Sequence, residues 1–264
     1  MDILHKIAAD KKREVELRKQ LFPIAYLESS VLFEKATVSL SSNLQNSETG
    51  IIAEHKRRSP SKPVINVSLS ADEVVRGYVN AGACGISVLT DSKYFGGSTD
   101  DLLLARASTT IPLLRKEFIV DEFQLVEAKA FGADAILLIA ALLSASQIKK
   151  YSALAKSLEL EILLEVHNLE ELQTALIPQI NLVGVNNRNL KTFEVSLETS
   201  AALAAEIPDE FVKISESGIS DAAAVAKLRE LGYRGFLIGE TFMKTNDPGK
   251  ALSHFISDLK LYKK

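Results

Sequence analysis

IIAEHKRRSPSKP, residues 51–63, runs from a short apolar stretch straight into charge and then into a loop punctuated by serine and proline. In an extended strand successive side chains alternate, so Ile52, Glu54 and Lys56 share one face and Ala53 and His55 the other. A carboxylate and an ammonium therefore leave the end of a buried strand side by side. Arg57, Arg58, Ser59, Ser61 and Lys62 add cationic and hydroxyl groups. Such a strand end is equipped to hold an anion and to move a proton. The plainer alternative is a surface ion pair followed by a solvated basic turn. Recurrence of the pattern along the chain decides between them.

The pattern recurs. Strand-like runs fall at 51–56, 85–90, 112–118, 134–139, 161–167, 182–186, 211–215 and 235–239. Amphipathic helical stretches begin between them near Ser70, Thr99, Asp121, Ser146, Asn168, Ser196 and Asp221, and a last one runs near 247–259. Ser70 with Glu73 forms a capping-box pair, Asn168 with Glu171 a looser one. Gly82, Gly132 and Gly232 stand where helices end. Strand–helix alternation forces parallel strands, because each helix must carry the chain back. Eight such units in roughly 210 residues fit an α/β fold of the (β/α)8 TIM-barrel type, whose usual size is about 250 residues. A doubly wound open sheet is the alternative, weakened because no GxGxxG follows the first strand.

Upstream, residues 2–19 predict a helix, with Ile3, Leu4, Ile7, Val15 and Leu17 at roughly helical spacing. Residues 39–47, rich in serine and asparagine, predict a loop. Residues 1–50 cannot bury a core of their own. They are expected to be a helical extension of one barrel domain spanning 1–264.

Composition narrows the function. The 264 residues are 47% hydrophobic and 25% charged, with a net charge of −3 and a pI near 5.9. No basic footprint argues for nucleic acid or a membrane surface. The apolar runs are too short to span a bilayer, and the N-terminus lacks an apolar signal-peptide core. One cysteine, Cys84, excludes a disulfide framework and reads as a small buried filler. His5, His55, His167 and His254 show no metal-ligand spacing. A cytoplasmic, metal-independent protein is expected.

In a barrel, catalytic groups come from the C-terminal ends of strands. Those ends carry Glu54 and Lys56, then Lys116, Glu165, Asn186 and Arg188, then Glu216, Ser217 and Gly218, and finally Gly239 and Glu240. Parity sets Lys116 on the face of Leu114, Glu165 on that of Leu163, and Asn186 and Arg188 on that of Gly184. Lysines and glutamates gathered in one cavity shift each other's pKa values, burial and opposite charges acting against each other. Gly218 and Gly239 permit close backbone approach to an anion, and the loops after strands 7 and 8 of a barrel often hold phosphate. Ser59 and Lys56 stand ready to complete that site from strand 1, which adjoins strand 8 in a closed barrel.

These motifs together resemble the indole-3-glycerol phosphate synthase family of tryptophan biosynthesis. The matching stretches are IIAEHKRRSPSK (51–62), GISVLTDSKYFGGS (85–98), PLLRKEFIVDEFQ (112–124), LLEVHN (163–168), GVNNRNL (184–190), SESGI (215–219) and LIGETFM (237–243). They span the barrel in the family's order. The resemblance implies closure, decarboxylation and dehydration of 1-(2-carboxyphenylamino)-1-deoxyribulose 5-phosphate to indole-3-glycerol phosphate, by general acid/base chemistry with no cofactor. It implies Lys116 as general acid at the ketone, Glu165 as its proton-transfer partner and Glu54 as the second acid/base carboxylate. Lys56 would meet the substrate carboxylate. Asn186, Arg188 and Glu216 would position substrate. Ser59, Gly218, Gly239 and the backbone of Glu240 would hold phosphate, with Ser217 at either end. Phe95, Phe118 and Leu137 would wall the anthranilate ring. Association with other tryptophan-pathway enzymes is compatible with the same resemblance. Pro63 and Asn189 depart from the family's usual glycine and aspartate, and no fused isomerase domain is expected. Two rivals are a phosphoribosylanthranilate isomerase, which would need a cysteine where Glu54 stands, and a barrel that only binds sugar phosphates.

Overall fold

β1 (Ile51–His55) pairs with both β2 (Gly85–Leu89) and β8 (Gly235–Ile238), and this pairing closes the sheet. Between them β3 (Leu113–Lys116), β4 (Ala135–Ile139), β5 (Glu161–Val166), β6 (Leu182–Asn186) and β7 (Val212–Glu216) follow in chain order, all parallel. The computed structural model describes residues 3–262; the expected helix start at Asp2 and the last two residues of 1–264 lie outside them. The (β/α)8 barrel is thus the observed fold, and the open sheet is excluded.

Helices α1 (Ile3–Leu21), α2 (Ile24–Glu28) and α3 (Leu40–Asn46) precede the barrel. The outer layer comprises α4 (Ala71–Ala81), α5 (Ser92–Phe95), α6 (Thr99–Ser108), α7 (Phe123–Ala130), α8 (Ala145–Ser157) and α9 (Leu169–Ala175). It continues with α10 (Glu198–Leu203), α11 (Ala222–Glu230), α12 (Glu240–Met243) and α13 (Pro248–Lys260). Among the described residues, no helix is long and apolar enough to cross a membrane. The cap chemistry acts as its residues suggest. Ser70 N donates to Glu73 Oε2 at 3.1 Å and Glu171 N to Asn168 Oδ1 at 2.9 Å. Gly82 ends α4 in the left-handed region at φ 97°.

Alternation along each strand builds two cores. Ile52, Leu114, Leu137, Leu163 and Ile214 point inward and pack inside the barrel. Ala53, Ile86, Ile136, Leu164 and Val185 point outward under the helices. The expected loop at 39–47 is a helix instead. Ser39 caps α3 by accepting from Ser42 N, and Leu40 and Leu44, four apart, are buried against the inward core. This short helix plugs the N-terminal end of the barrel, and Gly85 makes room for it: a Cβ there would meet Leu40 Cδ1 at 2.5 Å. Cys84 is half-buried, with Sγ donating to Ile51 O at 3.1 Å. With one end sealed by hydrocarbon, the polar strand ends meet at the other.

Candidate active site

A cavity of about 540 Å³ opens at the C-terminal ends of the strands. Every site residue named from the sequence lines it, from Glu54 on β1 to Glu240 after β8. The inward parity of the strands delivers them: Glu54 lies in register with Ser87, Glu165 with Gly184, and Asn186 with Glu216.

At the centre is the Lys116 ammonium. It donates to Glu216 and lies 3.4 Å from Glu165 Oε2. Burial pulls its pKa down, but the charges of Glu216, Glu165 and Glu54 outweigh this and hold it well above the ordinary lysine value. Burial pushes the Glu216 carboxyl up to about 7, with Glu165 adding to the rise and Lys116 opposing it. For Glu165 and Glu54 burial acts the same way but loses. Lys116 and His167 lower Glu165; Lys56 and Lys116 lower Glu54. Glu54 Oε1 is 2.7 Å from Lys56 Nζ, and its Oε2 accepts from Ser87 Oγ at 3.3 Å. The contest left open by the residue types therefore resolves differently at each position. Gly184 gives Glu216 its space, since a Cβ there would meet Glu216 Oε1 at 2.2 Å.

Beside this cluster the rings of Phe95 and Phe118 stack at 5.8 Å between centroids, inclined by 38°. Leu137, 2% exposed, continues the wall. Each ring is set by a buried acid. Asp91 caps α5, accepting from Tyr94 N at 2.6 Å and Phe95 N at 3.2 Å. Glu117 Oε1 accepts from Phe118 N at 2.8 Å. Lys11 of α1 joins the two acids, 3.0 Å from Asp91 and 3.2 Å from Glu117.

The opposite rim carries the residues expected to hold phosphate. Ser217 and Gly218 both adopt positive φ, 67° and 77°, and the serine is in a strained conformation there. Gly239 passes so close to the β1 strand end that a Cβ would meet Glu54 Oε1 at 2.5 Å. The Glu240 carboxylate is tied to Lys62, which joins the loop after β1 to the loop after β8. Ser59 sits in that first loop, its N–H donating to Lys62 O at 2.8 Å. Asn186 Oδ1 accepts from Arg188 N at 3.0 Å, and Arg188 Nη1 donates to Phe193 O at 3.2 Å.

Four contributors escaped the sequence. Leu4 and Ile7 of α1 line the cavity, so the extension is part of its wall. Lys11 lies in the stripe Leu4, Ala8, Lys11, Val15, all buried; that stripe was the available signal. His167 lies two residues beyond Glu165, just past the end of β5, and approaches it at 3.5 Å; testing histidines only for metal spacing passes over it. Among the described residues no cluster of three or more His, Cys, Asp or Glu is placed to hold a metal ion.

Known proteins bear on this geometry at two levels. By fold, the chain superposes on a thiamine phosphate pyrophosphorylase from Pyrococcus furiosus with a TM-score of 0.61 at 16% identity, covering 86% of this chain and 100% of that one. By sequence, it is 48% identical over 255 residues to an indole-3-glycerol phosphate synthase of Bacteroides thetaiotaomicron, covering 97% of this chain and 98% of the relative. A namesake from a Polaromonas species is 44% identical over 256 residues, covering 96% and 97%. The family model for indole-3-glycerol phosphate synthase matches residues 4–255, and the chain belongs to that family.

Proposed function

We propose that this cavity takes 1-(2-carboxyphenylamino)-1-deoxyribulose 5-phosphate and releases indole-3-glycerol phosphate, carbon dioxide and water. The observation that carries this is the Lys116 ammonium held among Glu54, Glu165 and Glu216 beside the paired rings of Phe95 and Phe118. The anthranilate ring lies against those rings and Leu137. Its carboxylate meets Lys56, and competition for that ammonium loosens the Lys56–Glu54 pair. The phosphate lies at Ser59, Gly218, Gly239 and the backbone of Glu240, with Ser217 alongside. Glu240 keeps its carboxylate turned to Lys62 and so does not repel the phosphate.

Chemistry follows from charge. The aromatic carbon bearing the carboxylate attacks the ketone, whose oxygen becomes negative as the bond forms. Lys116, kept cationic by three carboxylates, donates a proton there. Departure of carbon dioxide restores the aromatic ring. Loss of the new hydroxyl as water needs a second proton, and one proton leaves the neighbouring carbon to complete the indole. Glu165 and Glu54 exchange protons in these steps, and Glu216 holds Lys116 on its line. Asn186 and Arg188 position the glycerol chain.

The span 1–264 works as one domain whose first 50 residues form a helical extension joined to the site through Leu4 and Ile7. A cytoplasmic enzyme working alongside others of tryptophan biosynthesis belongs to the same proposal. A time course of indole fluorescence with purified protein and this substrate tests it. Rising emission is expected. A flat trace from folded protein across several pH values would move a sugar-phosphate binding barrel to first place.

A further inference from the structure

The overall chemistry has a proton deficit. Two protons go onto oxygen, one at the ketone and one at the departing hydroxyl, and one comes off carbon. An ionised carboxylate leaves as carbon dioxide, so each turnover takes one proton from the solvent. The Lys116 and Glu165 side chains are 13% and 5% exposed, and substrate bound in the proposed way would cover them.

A second cavity, of about 650 Å³, lies on the other side of the β5 and β6 strand ends. It shares Asn186 and Arg188 with the first and is also lined by His167 and Glu171. His167 lines the second cavity, and its ring meets Glu165, which lines the first. Nε2 faces Glu165 Oε1 at 3.5 Å, buried and without a hydrogen bond. Nδ1 is 3.1 Å from Glu171 Oε2. Glu171 is itself fixed at the start of α9, accepting from His167 N at 2.8 Å and Asn168 Nδ2 at 2.8 Å. Exposure grows outward along the row, from 5% for the Glu165 side chain to 12% for His167 and 19% for Glu171. A carboxylate on Nδ1 fixes the ring's orientation and its tautomer, leaving Nε2 to serve Glu165.

We propose that His167, held by Glu171, returns one proton per turnover from the second cavity to Glu165. This rests on Glu165 as a proton-transfer group of the proposed reaction. The imidazolium breaks its Nε2–H bond as an O–H bond forms on Glu165. The neutral ring then turns out of its resting position to bring the emptied Nε2 into the second cavity, which His167 lines. There an N–H bond forms with a proton taken from hydronium or a buffer acid, and the ring turns back; no electrons are exchanged. His167 acts through Glu165 and does not touch substrate. Burial disfavours the imidazolium, but Glu171 and Glu165 outweigh it and raise the ring's pKa above the ordinary histidine value. Glu216 also faces it from β7; His5 of α1 and Arg188, Lys191 and Glu194 after β6 line the second cavity.

The test measures kcat and KM by indole emission across neutral pH for wild type, His167→Ala and Glu171→Gln, with and without added imidazole. His167→Ala is expected to lower kcat about tenfold or more, to leave KM within about twofold, and to recover with imidazole in a saturating manner. Glu171→Gln removes a charge that favours the imidazolium, so the alkaline fall in kcat moves to lower pH. Wild-type kcat in His167→Ala, or a fall that imidazole does not reverse, overturns the relay. If that variant fails to fold, Glu171→Gln decides, and an unchanged pH profile overturns it. Wild-type turnover separates the two levels. No product from folded wild type sinks the proposed function and the relay together; turnover with an indifferent His167→Ala sinks the relay alone.

Discussion

Two buried charge clusters stand back to back across β3, and their difference shows what makes buried charge functional. On the outer side Lys11, Arg18 and Arg115 meet Asp91, Glu117 and Glu127. Arg115 lies 2.5 Å from Glu127 Oε2 and donates to Gln124 O at 2.8 Å; Arg18 reaches the other Glu127 oxygen. Thr90 donates to Glu117 at 2.7 Å. Cations and anions match one for one, and directed hydrogen bonds use the oxygens. On the inner side three carboxylates, Glu54, Glu165 and Glu216, face two lysines, Lys116 and Lys56, with the titratable His167 3.5 Å from Glu165, and Glu216 Oε1 is buried without a hydrogen-bond partner. Matched charge locks α1 and α7 to the strand. Unmatched charge beside a cavity keeps protonation states within reach of one another, which proton transfer requires.

The largest effect expected is on chemistry. Glu165→Gln keeps the shape and removes the charge 3.4 Å from Lys116; kcat should fall about 10²–10⁴-fold, with urea unfolding nearly unchanged. A comparable loss of stability would erase the distinction between the clusters. The outer cluster should behave in reverse. Lys11→Met strands Asp91 and Glu117 in the interior, and unfolding should show a loss of about 3–5 kcal/mol, with KM rising as Phe95 and Phe118 lose their anchors. Between the two lies Gly184→Ala, whose methyl displaces Glu216. Overpacking of this kind costs about 1–3 kcal/mol, and kcat should fall less than in Glu165→Gln.

The smallest effect is on pH dependence. The unfolded Glu216 carboxyl titrates at its ordinary 4.5 and the folded one at about 7. The native state therefore binds this proton more tightly. The stability it contributes is full below 4.5 and is lost as pH rises through about 7. Glu216→Gln removes this loss. Variant-minus-wild-type stability should climb over that window, measured by urea unfolding at each pH; a flat difference would contradict the raised pKa.

Much of this was legible from the residues. Strand–helix alternation and the lack of GxGxxG pointed to the barrel, and strand parity from Ile52 to Glu54 or Leu163 to Glu165 gathered the polar ends into one cavity. The plug α3 was hidden because only Leu40 and Leu44 break a run of serines and asparagines, and its stability comes from the barrel floor it covers. Lys11 was hidden among the charges of α1, although it stands in the helix's buried stripe. The protonation contest around Lys116 was illegible for a different reason. Burial and opposite charge act with contrary sign, and only distances decide which prevails. His167 required the position of Glu171, set by a helix cap four residues on.

The central claim, that the inner cluster exists for chemistry, meets its most direct test in Lys116→Met. Folded variant is mixed with a saturating amount of the carboxyphenylamino-deoxyribulose phosphate, following substrate binding by quenching of the anthranilate emission and product by indole emission in the same cuvette. The expected result is binding close to that of wild type with no indole formed. Indole appearing at the wild-type rate would contradict Lys116 as the acid and, with it, the functional meaning given to unmatched charge at this end of the barrel.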